Sequence, residues 1–215
     1  MDPINGESNM SELRKALEAK IGEHRVHSFN RSSDDYIDLL LLDIETKVPM
    51  KILMTDGLSE YSMPVPQKYK GRELNEIYFA LPSYWEIEET DNPLMKWPVD
   101  QIQKLAKHVI ENETWYGPGH TFSNGNPPQS LSGNMKQNHL LLSDPILLED
   151  LFQPLSLEDK VIHFLAIIPL FEDEFDRKMS SGYFKFIRKF RAKNGNEILD
   201  DYRTSIYRSR WRFFG

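Results

Sequence analysis

Two apolar runs constrain the fold of this chain more than any other feature. Residues 36–44 read YIDLLLLDI, and residues 160–169 read KVIHFLAIIP. Each has the length of a strand, and each is apolar almost throughout rather than at every second residue. A strand with one wet face alternates; a nearly continuous run indicates a strand covered on both faces. Neither run approaches the roughly 20 residues that a bilayer crossing needs.

The flanking segments supply the rest of a layered fold. Ser11 is placed to cap a helix through about His24, with Glu12 in its first turn. Leu13, Ala16, Leu17 and Ile21 form its apolar stripe. Residues 25–30 read as a short strand and 32–35 as a turn. Ile52–Met54 ends at Thr55-Asp56-Gly57, where Gly57 can supply a positive φ. Residues 73–81 alternate polar and apolar until Pro82. Residues 86–97 read as an acidic loop, and Pro98 opens a helix over 99–112. Residues 115–138 are irregular, with Gly117, Gly119, Gly125 and Gly133 among Pro118, Pro127 and Pro128. A loop that long in a compact domain is either functional or disordered. Residues 139–142 return to a strand. Residues 171–193 read as one long helix, striped by Phe175, Met179, Tyr183, Phe186 and Phe190.

The expected class is α+β: a mixed β-sheet of about six strands packed with two long helices and one shorter N-terminal helix. Residues 1–10 read as a disordered N-terminus and 11–193 as the domain. Residues 194–215 read as a basic, aromatic C-terminal segment docked on it.

Composition removes several kinds of chemistry. The 215 residues include no cysteine, which excludes disulfides, thiolate zinc sites and thiol nucleophiles. The first residues, MDPINGESNMSELRK, lack the apolar core of a signal peptide, so a cytoplasmic location is expected. No nucleophile elbow, P-loop or zinc-protease helix is present. His24 and His27 straddle a helix end, and none of the six histidines makes a paired i, i+4 helical site with a carboxylate, so neither a metal nor a cofactor is expected. Glu172, Asp173, Glu174 and Asp176 suit a helix N-terminus better than a cation site. The net charge of −7 is uneven: Lys185 to the end holds nine basic and three acidic residues, and the rest holds 17 basic and 30 acidic. An acidic body favours basic protein partners over nucleic acid and membranes.

The segment ILMTDGLSEYSMPVPQKYKGRELNEIYFALPSYW resembles the single-domain members of the Suppressor of Fused family. The matching pattern is an apolar strand ending T-x-G-x-S (Thr55, Gly57, Ser59), then Met63-Pro64, then Glu73-Leu74, then a strand closing in L-P-x-x-W (Leu81, Pro82, Trp85). The similarity continues through WPVDQIQKLAKHVIENETWYGPGHTFSNG, LLSDP and IHFLAIIPLFEDEFD, and ends in Ile198, Leu199, Asp200, Arg203 and Ser205. The resemblance implies a non-enzymatic protein-binding domain. The animal member sequesters a transcription factor by strand addition and carries a further domain. The short bacterial relatives resemble immunity proteins of polymorphic toxin systems, which implies a basic toxin domain as partner of a monomer or small oligomer. The expected contact face is the turn with Asp56, Ser59, Glu60 and Met63, together with the loop bearing Trp115, Tyr116, His120 and Phe122. The loop's aromatics also fit a simpler role, pinning it to the core. A competing reading is an enzyme with Asp56, Glu73 and His120 as its polar groups.

Overall fold

The computed structural model describes residues 11–21, 25–29, 37–45, 48–88 and 92–208. The segments expected as a disordered N-terminus (1–10) and a turn (32–35), and the end of the basic tail (209–215), lie outside them. The strands are β1 (Arg25–Ser28), β2 (Asp38–Ile44), β3 (Met50–Asp56), β4 (Asn75–Pro82), β5 (Thr121–Ser123), β6 (His139–Ser143), β7 (Leu155–Ser156) and β8 (Val161–Leu170). The helices are α1 (Glu12–Ile21), α2 (Pro93–Glu111), α3 (Glu172–Ser181) and α4 (Tyr183–Ala192).

Seven strands form the sheet in the order β1-β2-β3-β4-β8-β6-β5, with the two-residue β7 paired to β8 beside this path. β1 to β4 form an antiparallel meander, β4 and β8 run parallel, and β6 and β5 continue antiparallel. Both apolar runs are interior strands, and the mixed α+β architecture is the one expected. Leu39 and Leu41 of β2 join one cluster with Leu53, Phe79, Ile102 and Val109, under α2. Leu40 and Leu42 join the other with Leu13, Leu17, Phe186 and Phe190, under α1 and α4. Alternate residues of each strand therefore feed opposite cores, which is why the run has no polar phase. β4 behaves the same way: its sequence alternates, yet Asn75 through Leu81 is buried without interruption.

Two expected boundaries move, each for a local reason. α2 begins at Pro93, five residues before Pro98. Asn92 caps it, its side chain accepting from the Leu94 amide at 3.1 Å, and Pro93 takes the first position, where no N–H is needed. Pro98 lies inside the helix near its start, where its missing N–H forfeits a single bond. The long C-terminal helix is two helices. Gly182 lies between them at φ 81° and ψ 160°, a conformation essentially confined to glycine. The turn redirects the stripe: Phe186 and Phe190 are buried, and Met179 is left 60% exposed.

The chain then crosses back to the sheet. β4 pairs with β8 only as far as Tyr78–Ala166, and beyond that Leu199 N–H donates to the Ala80 carbonyl at 2.8 Å. Arg203 clasps the fully buried Glu174 through two bonds of 2.5 and 2.8 Å, and its guanidinium lies over Phe171 and Phe190. Ser205 donates to Asp173 at 2.6 Å.

Replacing Gly182 with alanine keeps the space but not the conformation, so Gly182→Ala is expected to cost about 1–3 kcal/mol in urea unfolding. Arg203→Ala strands Glu174 without its cation and is expected to cost about 3–5 kcal/mol by the same measurement.

Candidate functional site

The turn after β3 is built over a buried carboxyl group. Gly57 takes φ 113°, which turns the next backbone amides inward. The amides of Gly57, Leu58 and Ser59 donate to Glu76 at 3.2, 3.3 and 3.0 Å, and the Thr55 hydroxyl makes a short hydrogen bond to the same group. Three consecutive N–H groups converging on one anion form a nest, here filled by the protein's own side chain. Thr55, Gly57 and Ser59 of the T-x-G-x-S pattern are therefore the ring of donors around Glu76. Burial pushes the Glu76 carboxyl up to about 7, against the pull of these hydrogen bonds. The Thr55 hydroxyl serves either protonation state, because it also accepts from Ile77 N–H at 3.0 Å and faces the Ile77 carbonyl at 3.4 Å.

Met63 joins this turn to the long loop. Its amide donates to the Glu73 carbonyl at 3.0 Å, and its sulfur accepts from the Tyr116 amide at 3.3 Å and faces Asn75 Nδ2 at 3.7 Å. The loop is tied down further on. Tyr116 donates its hydroxyl to the Leu105 carbonyl at 2.8 Å. The Trp115 ring lies between Tyr69 at 5.0 Å and His120 at 4.3 Å. Gly119, at φ 96°, donates to the Leu142 carbonyl at 2.7 Å and lies so close to Tyr183 that an added Cβ would sit 3.0 Å from the Tyr183 Cβ. Phe122 lies 5.3 Å from Tyr116 and pairs with Leu140 across β5 and β6.

The eight expected contact residues divide by burial. Ser59, Met63 and Tyr116 are buried, so their side chains shape the face from beneath. Asp56, Trp115, His120 and Phe122 are half-buried, and Glu60 is exposed. Burial raises the Asp56 carboxyl, Ser11 opposes it, and Asp38 and Glu60 add repulsion. Glu60 pairs with Lys160 at 2.6 Å. His120 is held below its usual range by burial and by the charge of Lys178 and Lys68.

The three residues of the enzyme reading have different neighbours. Asp56 faces Asp38 and Arg14, Glu73 accepts from the Gly71 amide beside His163, and His120 lies against Trp115. A cavity of about 620 Å³ lies beside Phe171, Tyr202 and Arg203, and another of about 320 Å³ beside Arg72, Phe152 and His163. None of the three residues lines either one. Among the described residues no group of three or more His, Asp or Glu could hold a metal, and no helix is long and apolar enough to cross a membrane.

Sequence reasoning passed over the buried acids Glu76 and Glu197 and read Glu174 only as a helix N-terminal group. Besides Glu76 and Glu174, Glu197 is 1% exposed and accepts the amides of Ile146, Leu147 and Leu148 at 3.0, 2.8 and 2.9 Å. Their signal is an acid at a position where the strand or loop pattern demands burial.

This is an α+β domain whose mixed sheet is covered on both faces and whose turns are fastened from below by buried acids. The chain belongs to the Suppressor of fused protein (SUFU) family, whose model matches residues 33–204. Among solved structures it is similar to a SUFU homologue from Neisseria gonorrhoeae, with TM-score 0.63 and 13% identity over 91% of this chain and 94% of that one. A chain of the Sufu–Fu complex matches with TM-score 0.63 and 14% identity over 91% of each chain. Drosophila Suppressor of Fused matches with TM-score 0.54 and 16% identity, over 86% of this chain and 42% of that one. The curated proteins contain no match.

The Glu76 carboxyl has a pH signature. It binds its proton more tightly in the folded chain, up to about 7, than at the ordinary 4.5. Its favourable contribution is complete below the lower value and is lost as pH rises through the higher one. Urea unfolding is therefore expected to show a decline of roughly 3 kcal/mol across that window. Glu76→Gln, which cannot titrate, is expected to flatten the profile; an unaltered slope would place the titration elsewhere.

Proposed function

We propose that this chain is a non-enzymatic protein-binding domain of the immunity type, which binds and neutralises a partner toxin domain. The observation that carries the reading is the junction at Met63, which ties the turn after β3 and the Trp115–Phe122 loop into one face. Such a face loses little conformational freedom on binding. Asp56 and Glu60, the latter paired with Lys160, supply its acidic groups, and Trp115, His120 and Phe122 its aromatic contacts. Ser59, Met63 and Tyr116 hold these groups in place from below. The family relative in the Sufu–Fu complex supports the general reading, since that protein is solved with a partner. The acidic body supports a basic partner, because its field draws positively charged proteins in from solution. The reading places the protein in the cytoplasm, as a monomer or small oligomer, without cofactor, membrane or nucleic acid.

Calorimetry with the basic, toxin-like proteins encoded beside this gene tests the reading. A stable one-to-one complex is expected. The double variant Asp56→Lys, Glu60→Lys is expected to weaken it at least tenfold, about 1.4 kcal/mol. An unchanged affinity would remove the assignment of this face.

A further inference from the structure

The contact face has a second half whose charge is opposite to that of Asp56 and Glu60. Lys178 of α3 and Lys68 of the turn at Gln67–Tyr69 both raise the positive potential at His120. They come from distant parts of the sequence and converge over the same aromatic loop. Their contacts bring no negative charge. Lys178 Nζ donates to the Thr121 hydroxyl at 3.4 Å and lies 3.7 Å from the Met179 sulfur. Lys68 Nζ lies 4.9 Å from the Tyr69 ring centroid. Among the described residues neither forms an ion pair. Lys178 is also partly desolvated, which holds its ammonium below the usual range. A half-desolvated cation with no counter-ion gains more from an arriving carboxylate than a fully hydrated one does.

Two large apolar side chains of the α3–α4 elbow stand in water, and Met179 is next to Lys178. The break at Gly182 leaves Met179 60% and Phe184 81% exposed, the latter with its ring 5.4 Å from Tyr183. Tyr183 in turn supports Gly119, so the helix elbow and the aromatic loop form one fixed surface. Exposed apolar groups on the same elbow as an unpaired ammonium fit a ligand of complementary character.

We propose that the Trp115–His120 loop and the α3–α4 elbow form a docking surface for an acidic segment of a partner protein, anchored by an aromatic or leucine side chain. The segment's carboxylates pair with Lys68 and Lys178, and its apolar anchor lies against Met179 and Phe184. The inference rests on the protein-binding reading above, since it uses the same loop. It differs in the chemistry it assigns: the face is bipolar, and a partner must present acid at this end.

The test uses the full chain and two short fluorescent peptides. One carries Asp and Glu around a Phe-Leu pair, and the other has each acid replaced by lysine. Polarisation is expected to show the acidic peptide binding at least tenfold tighter. NMR shifts are expected to cluster at Trp115, His120 and Phe184. The double variant Lys68→Glu, Lys178→Glu is expected to weaken that binding at least tenfold with its melting transition retained. Equal binding of both peptides, no binding, or shifts on another face would overturn the proposal. So would a dimer that Phe184→Ser dissolves, because the surface would then belong to a second copy. Peptide binding without any toxin complex would remove the toxin reading alone. A toxin complex indifferent to the lysine variant, with no peptide binding, would remove this inference alone.

Discussion

A buried acid accepting the amides of a turn is the interaction on which the surface of this domain depends. A sheet covered by helices on both faces leaves no water for the turns that dip toward its core. Any turn that dips toward the core must find acceptors for its N–H groups within the protein. Glu76 meets the amides of residues 57–59, and Glu197 meets those of 146–148. Glu174 accepts from Phe171 and Ile206 as well as from Arg203. Each acid lies on one segment and fixes another that is distant in sequence. The loops are thereby positioned by the same groups that close the core.

This arrangement explains why the face can be rigid although it is built from irregular chain. The turn after β3 has no long hydrophobic anchor of its own beyond Leu58, and the loop after α2 carries many glycines and prolines. Glu76 holds the first, Met63 couples the first to the second, and Tyr116 and Gly119 fasten the second to α2, β6 and α4. What remains exposed at either end is charged: acid near Asp56 and Glu60, base near Lys68 and Lys178. On the proposed reading, the two ends select a partner by its charge pattern as well as by its shape.

Much of the architecture was legible in the sequence because it rests on periodicity. The run LLLLDI reads as a two-faced strand, and its side chains do feed both cores. Helix limits were less legible because they turn on single residues. Asn92-Pro93 and Pro98 offer competing starts, and the capping bond decides between them. Gly182 sits inside an otherwise continuous helical stripe, and only its φ reveals the break. The family pattern was readable, but the work its residues do was not. Thr55, Gly57 and Ser59 look like turn punctuation until Glu76 is seen beneath them. Leu199, Arg203 and Ser205 read as part of a docked basic segment, but only the structure shows Ala80, Glu174 and Asp173 receiving them.

The late clasp of Arg203 on Glu174, with Leu199 bonded to Ala80, bears on how the chain is made. Synthesis runs from the N-terminus, so β4 leaves the ribosome more than a hundred residues before the segment that completes its pairing. Until that segment arrives, the far end of β4 lacks a neighbour and Glu174 lacks its cation. A nascent chain must therefore wait with an open strand edge, which is the kind of surface that chaperones recognise and that aggregation exploits.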